Sequence, residues 1–140
     1  MENETDSMRF LKDAVDPVAL SPLTLAFIGD CVYELFVREA LVTEANRPAG
    51  ELHAQKVRYV SAAAQAKAYR FIEDSLTEKE SSIFKRGRNA HTTHTPKNMT
   101  NADYHTATGI EALFGFLYLS GETERLRELF GIIRSKGGDF

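Results

Sequence analysis

Two stretches of the chain are far more apolar than the rest. Residues 24–41 (TLAFIGDCVYELFVREAL) carry Leu25, Phe27, Ile28, Val32, Leu35, Phe36 and Leu41, and residues 110–119 (IEALFGFLYL) are apolar almost without interruption. Ser21-Pro22 supplies an N-cap followed by proline at the first helical position, where a missing N–H is no loss. A helix is therefore predicted from 22 to about 42, closed by the turn Asn46-Arg47-Pro48 with Gly50. Gly29 stands inside it at a cost of about 1 kcal/mol relative to alanine, which predicts close approach of another backbone or helix beside Asp30.

Residues 51–73 space Val57, Val60, Ala64, Ala68 and Phe71 by threes and fours and read as one long amphipathic helix. A third helix is predicted over 78–88, opened by a capping box in which Thr77 precedes Glu80. Residues 89–98 (NAHTTHTPKN) have no apolar period and form the clearest loop. Thr100 or Asn101 caps a fourth helix that carries Asp103, Tyr104, Thr108 and Glu111 into the second apolar run and stops at Gly121. A last helix over 122–134 turns Leu126, Leu129, Phe130 and Ile133 inward, and 8–15 read as a short amphipathic lead-in ended by Asp16-Pro17. Nothing alternates with period two and no hairpin dipeptide appears, so the expected fold is all-α with five or six helices.

Composition narrows the class. A chain of 140 residues, 43% hydrophobic, fits one compact domain, with 1–7 expected to fray and 8–135 to fold. A net charge of −3 excludes a uniformly basic nucleic-acid coat but not local patches. The one cysteine, Cys31, rules out an intramolecular disulfide, suits a reducing compartment and reads as a small buried residue. No uncharged run approaches the roughly 20 residues needed to span a bilayer, and MENETDSMRF is unlike a signal peptide, so a cytoplasmic protein with no membrane partner is expected.

Each of the two apolar helices carries one acid in its midst, Asp30 and Glu111. A buried unpaired charge costs several kcal/mol, so each acid is expected to have a partner. If the helices pack side by side, the two carboxylates converge as a sparse oxygen site, with water completing the shell of an ion such as Mg²⁺. Pairing of each acid with an arginine, Arg38 or Arg88, explains two carboxylates equally well. Glu34 shares a face with Asp30 and also faces Arg38, while Tyr104 and Thr108 share one with Glu111.

Cations cluster in two places. Lys56, Lys67 and Arg70 fall on one flank of the predicted 51–73 helix, and residues 85–98 hold Lys85, Arg86, Arg88 and Lys97 with His91, His94, Asn89 and Asn98 and no acid. Such segments place donors on phosphates, although a solvated charged surface has the same composition. His91, His94 and His105 lack the helical spacing that sets two imidazoles on one face, so a histidine metal site is set aside in favour of solvent or phosphate contacts.

The segment Leu25-Ala26-Phe27-Ile28-Gly29-Asp30-Cys31-Val32-Tyr33-Glu34 resembles the signature helix of the ribonuclease III family, and Glu111-Ala112-Leu113-Phe114-Gly115 resembles that family's second acidic motif. With Arg86-Gly87-Arg88-Asn89-Ala90, and with no double-stranded-RNA-binding domain recognisable, residues 16–130 are similar to the family's Mini-ribonuclease III branch. The resemblance implies an all-α endonuclease domain of five to seven helices acting as a homodimer. It implies Mg²⁺-dependent hydrolysis of double-stranded RNA, with Mn²⁺ as a substitute ion, leaving a 5′-phosphate and a 3′-hydroxyl. It further implies maturation of the large-subunit (23S) ribosomal RNA precursor, with a ribosomal protein or the pre-50S particle as a further partner. The essential aspartate and glutamate fall on Asp30 and Glu111 as catalytic and metal residues, with Glu34, Thr108 and Tyr104 as supporting candidates. Lacking a separate RNA-binding domain, the protein would grip RNA with the two cation clusters. Two further acids of the family pattern are replaced by Ala26 and Thr108. That departure keeps open a non-catalytic RNA-binding or ribosome-assembly module that has kept the fold.

Overall fold

The computed structural model describes residues 7–90 and 101–137, so His91, His94, Lys97, Asn98 and the conformation of the 89–98 loop beyond Ala90 lie outside the described residues. Six α-helices make up the described chain: α1 (Pro22–Glu44), α2 (Ala49–Val60), α3 (Ala62–Ile72), α4 (Glu78–Arg88), α5 (Asn101–Leu119) and α6 (Thr123–Gly137). No strand occurs among the described residues.

The helix boundaries follow local chemistry. Ser21 Oγ accepts the Thr24 N–H at 3.2 Å, with Pro22 in the first turn of α1. Thr77 and Glu80 form the expected capping box at the start of α4. Gly121, at φ +75°, ends α5 with the Glu122 N–H on the Leu117 carbonyl at 2.9 Å and its own N–H on Tyr118 at 3.1 Å, a Schellman pattern. Two expectations fail. The 51–73 segment is broken at Ser61, whose backbone is extended and whose Oγ caps Ala64, so α2 and α3 are separate helices. Residues 8–15 form no helix; regular structure begins with a 3₁₀ turn, Pro17–Ala19, capped by the Asp16 side chain.

Helix α5 is the axis of the domain, packed by α1, α3, α4 and α6. From Ala107 to Leu117 every residue except Glu111 is buried, as expected of a helix that is apolar all round. Tyr33, Phe36, Phe114 and Phe130 form an aromatic cluster where α1, α5 and α6 meet, with Tyr33–Phe114 and Phe36–Phe130 centroids 5.0 and 4.9 Å apart. Glu80 ties α4 to α6: both its oxygens accept from Arg125, at 2.8 and 2.9 Å, and Arg125 also reaches the Ser75 carbonyl at 2.6 Å.

Helices α1 and α5 approach backbone to backbone. A Cβ on Gly29 would land on the Glu111 carbonyl, and one on Gly115 would land on the Leu25 carbonyl. The close approach expected from the mid-helix Gly29 is therefore present, and it lies at the level of both acids. Gly29→Ala should destabilise the protein by about 3 kcal/mol or more, because the obstruction is backbone and cannot rotate away. Gly131→Ala, in α6 with open space around it, should be neutral or stabilising by up to about 1 kcal/mol. Urea unfolding of both variants checks the pair, and equal effects would contradict the contact.

Candidate active site

Asp30 follows Gly29 on α1, and Glu111 lies on α5 where its carbonyl faces Gly29, so the tight crossing sets the two carboxyls side by side. They are hydrogen-bonded to each other, and Glu111 is also hydrogen-bonded to Gln65 of α3. Burial pushes the Glu111 carboxyl up to about 8; the charge of Asp30 and the bond to it act in the same direction, and the Gln65 bond acts against them. At neutral pH Glu111 therefore keeps its proton beside Asp30 unless a cation replaces it.

The surroundings differ from expectation in two ways. Asp30 is exposed on α1, so the acid sits at the edge of the apolar helix and not inside the core. Cys31 beside it is exposed as well, because α1 turns Leu23, Phe27, Cys31 and Leu35 outward while Leu25, Val32, Tyr33, Val37 and Leu41 are buried. The alternative of arginine pairing is not realised among the described residues. Arg38 pairs with Glu34 at 2.6 Å, and Arg88 bonds Asn89 at 3.2 Å and lies over the Phe84 ring.

The supporting candidates are placed around the pair without joining it. Glu34 is held between Arg38 and, at 3.8 Å, Lys56 of α2. Thr108 is buried and donates its hydroxyl to the Tyr104 carbonyl at 3.0 Å, while the Tyr104 ring sits against His105. Tyr33, one turn beyond Asp30, is fully buried, and burial and the nearby Glu111 raise its phenol so that it stays neutral.

Gln65 is the site residue that periodicity missed. It is 1% exposed, the most buried polar side chain among the described residues. A stripe carried through 51–73 at one helical phase puts Val57, Val60, Ala64, Ala68 and Phe71 inward, and of these Ala68 is buried as expected. Restarting the phase at Ser61 instead buries Ala62, Gln65, Ala66, Ala68 and Ile72, whereas Val57 is exposed. The cap at Ser61 was the available signal.

The same break divides the predicted basic flank. Lys67 and Arg70 are exposed on α3, whereas Lys56 belongs to α2 and is committed to Glu34. On α4, Lys85 and Arg86 line a shallow surface hollow with Ser81, Ser82, Asn89 and Glu78.

No group of three or more histidine, cysteine or acidic side chains that could hold a metal occurs among the described residues. The carboxyl pair is nonetheless a hard oxygen donor set that two like charges make receptive to a cation, and it fits an ion that keeps most of its water, as Mg²⁺ does. Asp30 and Glu111 are the residues that would hold it.

An all-α domain that sets two carboxyls together at a helix crossing offers the hard oxygen donors that cation-dependent phosphate chemistry uses. The profile of the Ribonuclease III domain matches residues 23–122. The chain is 49% identical over 112 residues to the Mini-ribonuclease 3 of Thermoanaerobacter sp. (strain X514), covering 80% of this chain and 79% of that protein. It is 46% identical to that of Symbiobacterium thermophilum, covering 81% and 88%, and 39% identical to that of Enterococcus faecalis, covering 86% and 92%. A crystal structure of a Fusobacterium nucleatum protein superposes with a TM-score of 0.78 at 29% identity, covering 89% of this chain and 99% of that one. The chain belongs to the ribonuclease III family, and its class is that of an RNA-cleaving endonuclease.

A raised carboxyl contributes stability that is full below the ordinary glutamate range and is lost as pH rises through the folded value. In EDTA the protein should therefore become less stable between pH 5 and pH 8 or so, as Glu111 ionises against Asp30. Glu111→Gln should flatten that slope and be more stable than the parent at pH 9 by more than about 1 kcal/mol. Guanidinium unfolding at the two pH values checks it; parallel curves for the two proteins would show the pair is not coupled.

Proposed function

We propose that the protein is a Mg²⁺-dependent endoribonuclease of double-stranded RNA, acting on the large-subunit (23S) ribosomal RNA precursor in the cytoplasm as a homodimer, with Mn²⁺ able to replace Mg²⁺. The observation that carries the reading is the contact between Asp30 and Glu111 at the α1–α5 crossing. A divalent ion there would supply charge against the phosphodiester and make water a better nucleophile at neutral pH. Asp30 and Glu111 would hold it. Water adds in line to phosphorus and the P–O3′ bond breaks, so the products carry a 5′-phosphate and a 3′-hydroxyl.

The exposed cations of α3 and α4 are the candidate RNA contacts. Lys67 and Arg70 of α3, Lys85, Arg86 and Arg88 of α4 and its C-cap Asn89 are the described donors, and His91, His94, Lys97 and Asn98 would extend the second group. Lys56 would join them only by giving up its ion pair with Glu34. An A-form duplex is read mainly through phosphates and 2′-hydroxyls across its minor groove, which suits lysine and arginine on neighbouring helices. Glu34, Tyr104 and Thr108 act by supporting the fold around the acids.

The dimer reading rests on α1. Phe27 is 80% exposed, and Leu23 and Leu35 are 44% and 45% exposed along the same side, next to Cys31 and Asp30. An apolar stripe of this kind on one helix is the self-complementary surface that a two-fold pair uses. Its position next to Asp30 would set two sites near one another, one for each RNA strand. The Mini-ribonuclease 3 likeness over four-fifths of the chain supports an RNA substrate; the large-subunit precursor is the one proposed, with a ribosomal protein or the pre-50S particle as the fitting partner.

The test is cleavage of a structured 23S precursor fragment with mapped ends. Asp30→Asn and Glu111→Gln should each lower the rate by about 10³-fold or more while melting as folded proteins and binding the RNA as before. Full activity in both variants would remove the acids from the chemistry. Binding without cutting by the parent protein, in both Mg²⁺ and Mn²⁺, would mark it as a non-catalytic RNA-binding module. Sedimentation as a monomer would remove the dimer.

A further inference from the structure

We propose that Gln65 is a positioning residue: its side-chain amide, fixed on α3, holds the Glu111 carboxylate facing Asp30 and so presets the ion site before the ion arrives. The inference rests on the metal reading above and assigns to the site a residue on a third helix.

Three observations carry it. First, Gln65 is 1% exposed in a stretch where its buried neighbours are Ala62, Ala66 and Ala68. A primary amide taken out of water costs free energy unless its hydrogen bonds are replaced, and apolar residues fill the other core positions of α3. Second, the amide is bonded to Glu111. A carboxylate only accepts, so the side-chain N–H of Gln65 is the donor. Third, the orientation is built in by the backbone. Ser61 interrupts the α2–α3 run, its Oγ caps Ala64, and the Gln65 N–H closes on the Ser61 carbonyl at 2.9 Å, so the helical phase that turns Gln65 toward α5 is set four residues upstream.

The residue type matters as much as the place. Lysine or arginine at 65 would neutralise the carboxyl pair and compete with the cation. Glutamate would add a third like charge. Glutamine donates a hydrogen bond and brings no net charge, so Glu111 is aimed while the negative charge of the pair stays available. Partners that orient a metal-ligating side chain in this way typically matter about 10- to 100-fold for ion affinity or activity.

The experiment titrates Mn²⁺ into the RNA-free protein by calorimetry and by loss of the free-ion electron paramagnetic resonance signal, for the parent, Gln65→Leu, Gln65→Met and Asp30→Asn. Thermal melts in EDTA run in parallel, and cleavage is followed against Mg²⁺ concentration. Both Gln65 variants should melt within a few degrees of the parent, bind Mn²⁺ about tenfold more weakly or worse, and need correspondingly more Mg²⁺ for half-maximal cleavage. Their KM for RNA at saturating Mg²⁺ should stay within about twofold. Leucine and methionine fill the space differently, so if one variant melts early the other still reports on the site. Parent-like Mn²⁺ affinity in a folded Gln65 variant, or in both with a lowered melting temperature, would make Gln65 a packing residue and overturn the proposal. A parent protein that binds no Mn²⁺, or an Asp30→Asn variant that binds it unchanged, would instead sink the metal reading itself.

Discussion

The backbone contact between α1 and α5 is the constraint on which the rest of the structure depends. Gly29 and Gly115 each lie against a backbone carbonyl of the opposite helix, Glu111 and Leu25 respectively. Any side chain there would separate the helices. Their closeness lets α5 be buried almost all round, brings Phe114 against Tyr33, and places Asp30 against Glu111. A second close contact, of Gly87 on α4 with Ala112 and Gly109 on α5, seats the basic helix on the same axis. The domain is thus assembled by approach of small residues along one helix, and its chemistry sits at the tightest point.

That placement has an energetic consequence. Two carboxyls in contact, one of them half-buried, share a proton below about pH 8 and repel each other once Glu111 ionises, so the closely packed crossing also contains a pair that is costly without a proton or a cation. The surrounding fold offsets it with elements remote from the site, such as the aromatic cluster and the Glu80–Arg125 tie between α4 and α6. Ala26 and Thr108 are both buried and bring no further acid, so Asp30 and Glu111 are the two acids at the crossing.

Much of this was legible from residue order. Ser21-Pro22, the Thr77–Glu80 box and Gly121 marked helix ends because capping chemistry is local, and Gly29 announced a close helix because glycine inside a helix is costly unless something needs the space. The two apolar helices alone allow Asp30 and Glu111 either to converge or each to pair with an arginine, and the resemblance to the ribonuclease III motifs is what favours convergence. What failed depended on tertiary packing. Which face of α1 is buried cannot be read from a helix that is apolar on most sides, so Asp30 and Cys31 seemed interior when both are exposed. A serine in an alanine-rich helix does not look like a breaker, so the phase across Ser61 was carried through and Gln65 was missed. Lys56 joined the basic flank on the same assumption, and its ion pair with Glu34 depends on α2 folding back over α1.

The central claim is that Asp30 and Glu111 face each other in order to share one divalent ion. A crystal of the protein grown in EDTA and soaked in Mn²⁺, measured at the manganese absorption edge, tests it most directly. One anomalous peak is expected at the α1–α5 crossing, coordinated by both carboxylates directly or through a single water, with the carboxyl–carboxyl hydrogen bond broken. Carboxyls still bonded to each other at saturating Mn²⁺, with the ion absent or held elsewhere on the surface, would contradict it.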